Sequence, residues 1–206
     1  MLKRIIRPKM VKSIIFINIG VFLLWTFFYQ TYPAFYFNNF LVSWTGLTNG
    51  LAWTAITSVF SHNAFFHLFI NMYIFLGFGI ALEMELGSMR FLRFYLTAGV
   101  IASVTHAAVS NILLAQPDLP ALGASGAIAG VVMVFSLMFP KEKILIFGII
   151  PVPAIWGVLL MVGIDLWGLF EQTKGGTLPI GHGAHLGGAF TGLFYYLFFL
   201  RHKKRV

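Results

Sequence analysis

The sequence predicts an all-α polytopic membrane protein, a bundle of six transmembrane helices. Three observations carry that reading. Of 206 residues, 59% are hydrophobic and only 10% are charged, whereas soluble domains carry about 25% charge. Six apolar runs can be drawn, each near the roughly 20 residues that a bilayer requires. Thirteen of the fourteen lysines and arginines then fall on one side of the layout, which is the asymmetry that sets membrane orientation. The length suits one membrane domain, 1–206, with short basic tails at 1–12 and 201–206.

The first run spans about 11–29. It follows a basic stretch, is long for a signal-peptide core and lacks a small-residue cleavage site, so it is expected to stay in the chain as a span. The connection 30–61 holds no lysine or arginine and is rich in Phe, Tyr and Trp. Such a segment suits the membrane interface on the outer side. The second run covers about 65–82 and the third about 91–114. The fourth, about 125–139, is short. The fifth, about 151–170, has Pro151 and Pro153 where a helix would start. The sixth is about 182–200. Lys3, Arg4, Arg7, Lys9, Lys12, Arg90, Arg93, Lys141, Lys143, Arg201, Lys203, Lys204 and Arg205 lie on one side, and Lys174 alone on the other. Both termini are therefore expected to be cytoplasmic. With no Arg/Ser-rich transit segment at the start, the expected location is a bacterial inner (plasma) membrane.

The sequence pI of about 9.9 does not point to nucleic acid, because the charges flank apolar runs. With no cysteine, a thiol nucleophile, a disulfide framework and a cysteine metal site are excluded. No His-Glu-x-x-His pattern and no phosphate-binding glycine loop occur, so no metal and no cofactor are expected. There is no inverted repeat of the kind transporters carry.

Polar groups inside the membrane are costly, so each is a candidate for function. Residues 122–127 read LGASGA. They put Ser125 at the start of the fourth run, where the first backbone N–H groups of a helix are unpaired and form an anion site. A serine there is a nucleophile with its own oxyanion donors if a base is near. Taken alone, the stretch reads first as a serine helix cap among small residues. His185 lies in the first turns of the sixth run, at similar depth. Gly126 and Gly130, and Gly188 and Gly192, form small-xxx-small pairs that let two helices approach closely. Packing through these faces would bring Ser125 and His185 within hydrogen-bond reach. His67 and Asn71, spaced i, i+4, share one helical face and can donate to an oxyanion, or serve as interhelical glue. Asp165, near the outer end of the fifth run, is expected to reach the interface or a helix partner rather than to orient His185. His62 and Asn63 are expected to cap a helix end. His106, Asn111 and His182 receive no role.

These residues carry a resemblance. Residues 53–62 (WTAITSVFSH) with His67 and Asn71, the stretch from Gly79 through Glu83, Glu85, Gly87, Ser88 and Arg90 to Tyr95, residues 123–126 (GASG), and residues 184–188 (AHLGG) with Gly192 together resemble the rhomboid intramembrane serine proteases. The position after Trp53, commonly arginine in that family, is Thr54 here. The resemblance implies a Ser125/His185 dyad with no required aspartate. It implies an oxyanion and substrate-binding site formed by His67, Asn71, the Ser125 N–H and the Gly123 position of the motif. It also implies single-span or polytopic membrane-protein substrates, cut near the outer boundary of the bilayer. The alternatives from the sequence are a non-catalytic membrane protein that binds client transmembrane helices, and a small transporter.

Overall fold

The computed structural model describes residues 8–146, 149–176 and 180–201. The outer parts of the two basic tails, and the middle of the 173–183 connection, lie outside the described residues. The elements in order are α1 (Met10–Phe28), α2 (Pro33–Phe40), α3 (Trp44–Thr48), α4 (Thr54–Thr57), a 3-10 turn (Ser58–Phe60), α5 (Phe65–Leu86), α6 (Ser88–Ile112), α7 (Ser125–Met138), β1 (Lys143–Ile146), β2 (Ile150–Pro153), α8 (Ala154–Thr173) and α9 (His182–Tyr195), which runs into a π turn (Tyr196–Leu200). Among the described residues, five helices are long and apolar enough to cross a membrane, and α7 is a shorter apolar helix beside them. Helices are the expected solution, since a backbone in lipid must satisfy its own polar groups.

The shortest span is the central one. Helix α7 packs against α5, α6, α8 and α9, and nine of its fourteen residues are buried, among them Ala127, Ile128, Val131 and Val134. Fourteen residues rise about 21 Å, against about 30 Å of hydrocarbon. A helix walled in by neighbours need not reach both membrane faces.

The connection between α1 and α5 folds into short helices held to the bundle. Tyr36, 3% exposed, stacks near Trp25 and donates to the Leu24 carbonyl at 2.7 Å. Trp25 Nε1 donates to Ser61 Oγ at 2.5 Å. Val42 and Ala121 exchange backbone hydrogen bonds at 2.9 and 2.8 Å, which stitches this loop to the segment leading into α7.

Between α7 and α8 the structure departs from the sequence expectation. Pro151 and Pro153 do not begin a helix. They lie in β2, which pairs antiparallel with β1 in the register Lys143↔Pro153 to Ile146↔Ile150, and α8 begins at Ala154. Two prolines spaced by two share one parity of the ladder, so a two-stranded hairpin can turn both missing donors outward.

At the opposite corner, Glu83 is fully buried in α5. Its carboxylate accepts the N–H groups of Lys9, Met10 and Val11 at 2.8, 3.0 and 2.9 Å, and the Ser88 hydroxyl at 2.5 Å. It thus caps the start of α1, whose first N–H groups have no partner of their own, and closes the α5–α6 turn at Gly87, where φ is +81°. Hydrogen bonds to a charged group contribute about 1.5–3 kcal/mol each, and stranded buried donors add a penalty. Glu83→Ala is therefore expected to lower the melting temperature in detergent, at a cost of at least about 2 kcal/mol. Glu85→Ala, which removes an exposed carboxylate two residues away, should leave it unchanged.

Candidate active site

Ser125 is the first residue of α7, after Ala124 at the N-cap. Its hydroxyl does not cap the helix. Oγ lies 2.8 Å from His185 Nε2, a bond between residues sixty positions apart that joins α7 to the first turn of α9. The glycines explain how the two helices come so close. A Cβ built on Gly188 would collide with the Gly126 carbonyl oxygen; one on Gly130 would stand 2.9 Å from the Gly188 oxygen, and one on Gly192 2.5 Å from the Gly130 oxygen. The two backbones touch along both small-xxx-small pairs, and no side chain but glycine's fits there.

Asp165 meets a helix partner, as expected, but the partner is His185 itself. It comes from α8 and is 4% exposed. Its Oδ1 lies 2.9 Å from His185 Nδ1 and 2.8 Å from His182 Nδ1. A carboxylate inside a span needs such partners, because removing an ion from water costs several kcal/mol unless hydrogen bonds replace its hydration. An ionised Asp165 assigns a proton to each Nδ1. His185 Nε2 then presents its lone pair to Ser125 Oγ. His182 has no role in the sequence reading; here it is buried beneath Asp165, with its ring laid on Gly168, one turn along α8, where a Cβ would strike it. The donor atoms of Asp165, His182 and His185 lie within 4.8 Å of one another. They are a set of the right chemistry for a transition metal; Asp165 bonds both Nδ1 atoms, and His182 Nε2 is buried with no partner among the described residues.

The facing wall comes from α5 and the turn before it. Gly123 has φ +121°, and its N–H donates to the Ser58 carbonyl at 2.9 Å. A Cβ there would stand 2.7 Å from His67 Cε1, so the bare glycine lets the His67 ring lie against the backbone two residues before Ser125. Asn71 is buried, and one amide hydrogen goes to its own helix, to the His67 carbonyl at 2.8 Å. His62 is not the helix cap the sequence implies. It is fully buried, edge-on to His67 with ring centroids 4.8 Å apart, and its Nε2 accepts from the Ala124 N–H at 3.5 Å. Burial, with the nearby His67 adding to it, lowers the His62 pKa to about 3. His106 has partners too: its Nε2 meets the Leu119 carbonyl at 3.2 Å and Ser110 Oγ at 3.3 Å, fastening the connection that leads to α7. No spacing in the sequence marks His62 or His182. The one available signal for Asp165 was a charge placed inside an apolar run.

Chemically, the arrangement aligns a hydroxyl, an imidazole and a carboxylate in series beside unpaired helix N–H groups. Comparison with known proteins bears on what that series is for. Residues 49–202 match a family model described as Rhomboid domain. The chain is 31% identical over 191 residues to RHOMBOID-like protein 12, mitochondrial, of Arabidopsis thaliana, covering 87% of this chain and 55% of that protein. It is 33% identical over 205 residues to Rhomboid protein 1, mitochondrial, of Saccharomyces cerevisiae, covering 91% and 53%. It is 32% identical over 142 residues to the human Presenilin-associated rhomboid-like protein, mitochondrial, covering 68% and 36%. The chain thus spans about half the length, or less, of the curated relatives it matches. The plasma-membrane location expected from the sequence, with cytoplasmic termini, is overturned by these names, since each of these relatives is named as mitochondrial.

His62 gives this wall a pH dependence. Its pKa falls from 6.5 in the unfolded chain to about 3 in the fold, so the unfolded state binds more protons between those values. Stability from His62 is complete above pH about 6.5 and declines as pH drops toward 3. His62→Gln should flatten the fall in melting temperature between pH 6.5 and 4. Parallel curves for the two proteins would mean that His62 does not titrate in this way.

Proposed function

Because the chain belongs to the rhomboid family, we propose that it is an intramembrane serine endopeptidase acting on membrane-protein substrates. The observation that carries the proposal is the 2.8 Å contact between Ser125 Oγ and His185 Nε2. By the names of its relatives, its setting is a mitochondrial membrane.

In this reading Ser125 Oγ attacks the scissile carbonyl while His185 Nε2 takes its proton, later returning it to the leaving amine. Asp165 is a positioning residue. It receives the His185 Nδ1 proton in a hydrogen bond, holds the ring in the tautomer that leaves Nε2 free, and steadies the imidazolium that forms. The oxyanion is received by the Ser125 N–H at the start of α7, with His67 and the second amide hydrogen of Asn71 as side-chain donors. Gly123 keeps the backbone bare where His67 must lie. Each oxyanion donor is worth about 3–4 kcal/mol in related chemistry. Hydrolysis needs water, and polar groups at membrane depth are tolerated around a wet cavity.

A substrate helix arrives sideways through lipid. Helix α8 is the natural gate: only Ala154, Val158, Asp165 and Gly168 of its twenty residues are buried, while Trp156, Trp167 and Phe170 face outward. The substrate must unwind locally before its carbonyl can be attacked, which favours helix-weak residues at the cut.

A fluorophosphonate probe should label Ser125 in the detergent-purified chain, and cleavage of a single-span substrate should vanish in Ser125→Ala; persistence of cleavage in that variant would remove the serine mechanism. Asp165→Asn tests the third member. With folding intact by melting temperature, kcat should fall by about 10²–10⁴, by analogy with the same change in a soluble triad. Full turnover would reduce the machinery to the Ser125–His185 pair.

A further inference from the structure

A cavity lies at the basic end of the bundle, away from Ser125. It is a groove of about 1390 Å³ between α6 and α9, floored by the ends of α5 and α7. Arg90 and Arg93, one helical turn apart on α6, and Arg201, just past α9, stand at its mouth. All three are exposed, and among the described residues none is held in an ion pair. Among the described residues, the one carboxylate that lines the groove is Glu85. The walls above are apolar. Phe94 and Ile101 line the α6 side, Phe194 and Phe198 the α9 side, and Ile101, Phe194 and Phe198 are 40, 47 and 66% exposed.

The dimensions are those of one leaflet. Arg90 and Ile101 are eleven residues apart, about 16 Å along the axis of α6, and half the hydrocarbon core is about 15 Å. The π turn at Tyr196–Leu200 broadens α9 where it borders the groove; such turns are rare and concentrate at functional sites. We propose that this groove is a binding site for a phospholipid of net negative charge. Its acyl chains lie along Phe94, Ile101, Phe194 and Phe198, and its phosphate sits among Arg90, Arg93 and Arg201. Guanidinium groups bind phosphate oxygens in pairs, and basic pockets between transmembrane helices are known to select anionic headgroups. A zwitterionic lipid would bring an ammonium group into a mouth where three guanidiniums face one carboxylate, and so is disfavoured.

The test is lipid retention, and it does not depend on proteolysis. The purified full chain is equilibrated with vesicles of phosphatidylglycerol and phosphatidylcholine in equal parts, extracted in mild detergent and examined by native mass spectrometry. One phosphatidylglycerol per chain should be retained, in about tenfold preference, equivalent to about 1.4 kcal/mol. Arg90→Gln/Arg93→Gln/Arg201→Gln should bring the preference to parity. Lys12→Gln/Lys141→Gln/Lys143→Gln removes equal charge from the same face outside the groove and should preserve it. Thr97→Trp leaves every arginine in place and fills the groove; it should also abolish retention, and it decides the matter if the triple arginine variant fails to fold. No preference in the wild type, equal loss in both charge variants, or undiminished retention in Thr97→Trp would each overturn the site, the second by showing only a diffuse surface attraction.

Discussion

The rest of the structure depends on the backbone contact between α7 and α9. A serine on one helix and a histidine on another, sixty residues apart, meet only if the helix axes run closer than ordinary side chains permit. Gly126, Gly130, Gly188 and Gly192 remove those side chains, and the collisions that a Cβ would cause show that no slack remains. Lipid supplies no hydrophobic force between helices, so association rests on this close packing. The same contact lets α7 sit at the centre of the bundle and be short.

Two buried carboxylates brace the bundle in opposite ways. Glu83 satisfies its charge with three backbone N–H groups and a hydroxyl, and so ties α1 to the α5–α6 turn. Asp165 satisfies its charge with two imidazoles of α9, and so ties α8 to the site. The first arrangement is rigid backbone architecture. The second is made of groups that can move protons, and it lies on a helix with four buried residues among twenty. A helix held by one polar cluster and few buried residues is well suited to opening.

The membrane class, the helical spans and the glycine faces were legible because lipid imposes length, charge asymmetry and small-residue spacing directly on the sequence. The place of Asp165 was not. Helical periodicity tells which face a residue occupies, not which neighbour that face will meet, and its partners are on a different helix. His62 was misplaced because it stands three residues before α5 begins, where a helix end and a buried wall look the same in one dimension. Pro151 and Pro153 read as a helix start because a proline at N1 and a proline in an outward parity of a hairpin leave the same local signal. Location failed for another reason: orientation rules describe which side of a membrane a charge prefers and do not identify the membrane.

The position of His185 in the last of the six apolar helices has a consequence for the timing of synthesis. A chain is made N-terminus first, at about 5–20 residues per second, so some 3–12 seconds separate the appearance of Ser125 from that of His185. Throughout that interval Ser125 has been made and the imidazole that it meets in the fold has not. On the proposed reading, the reactive pair is absent from every partial chain and forms only when α9 docks against the glycine face of α7.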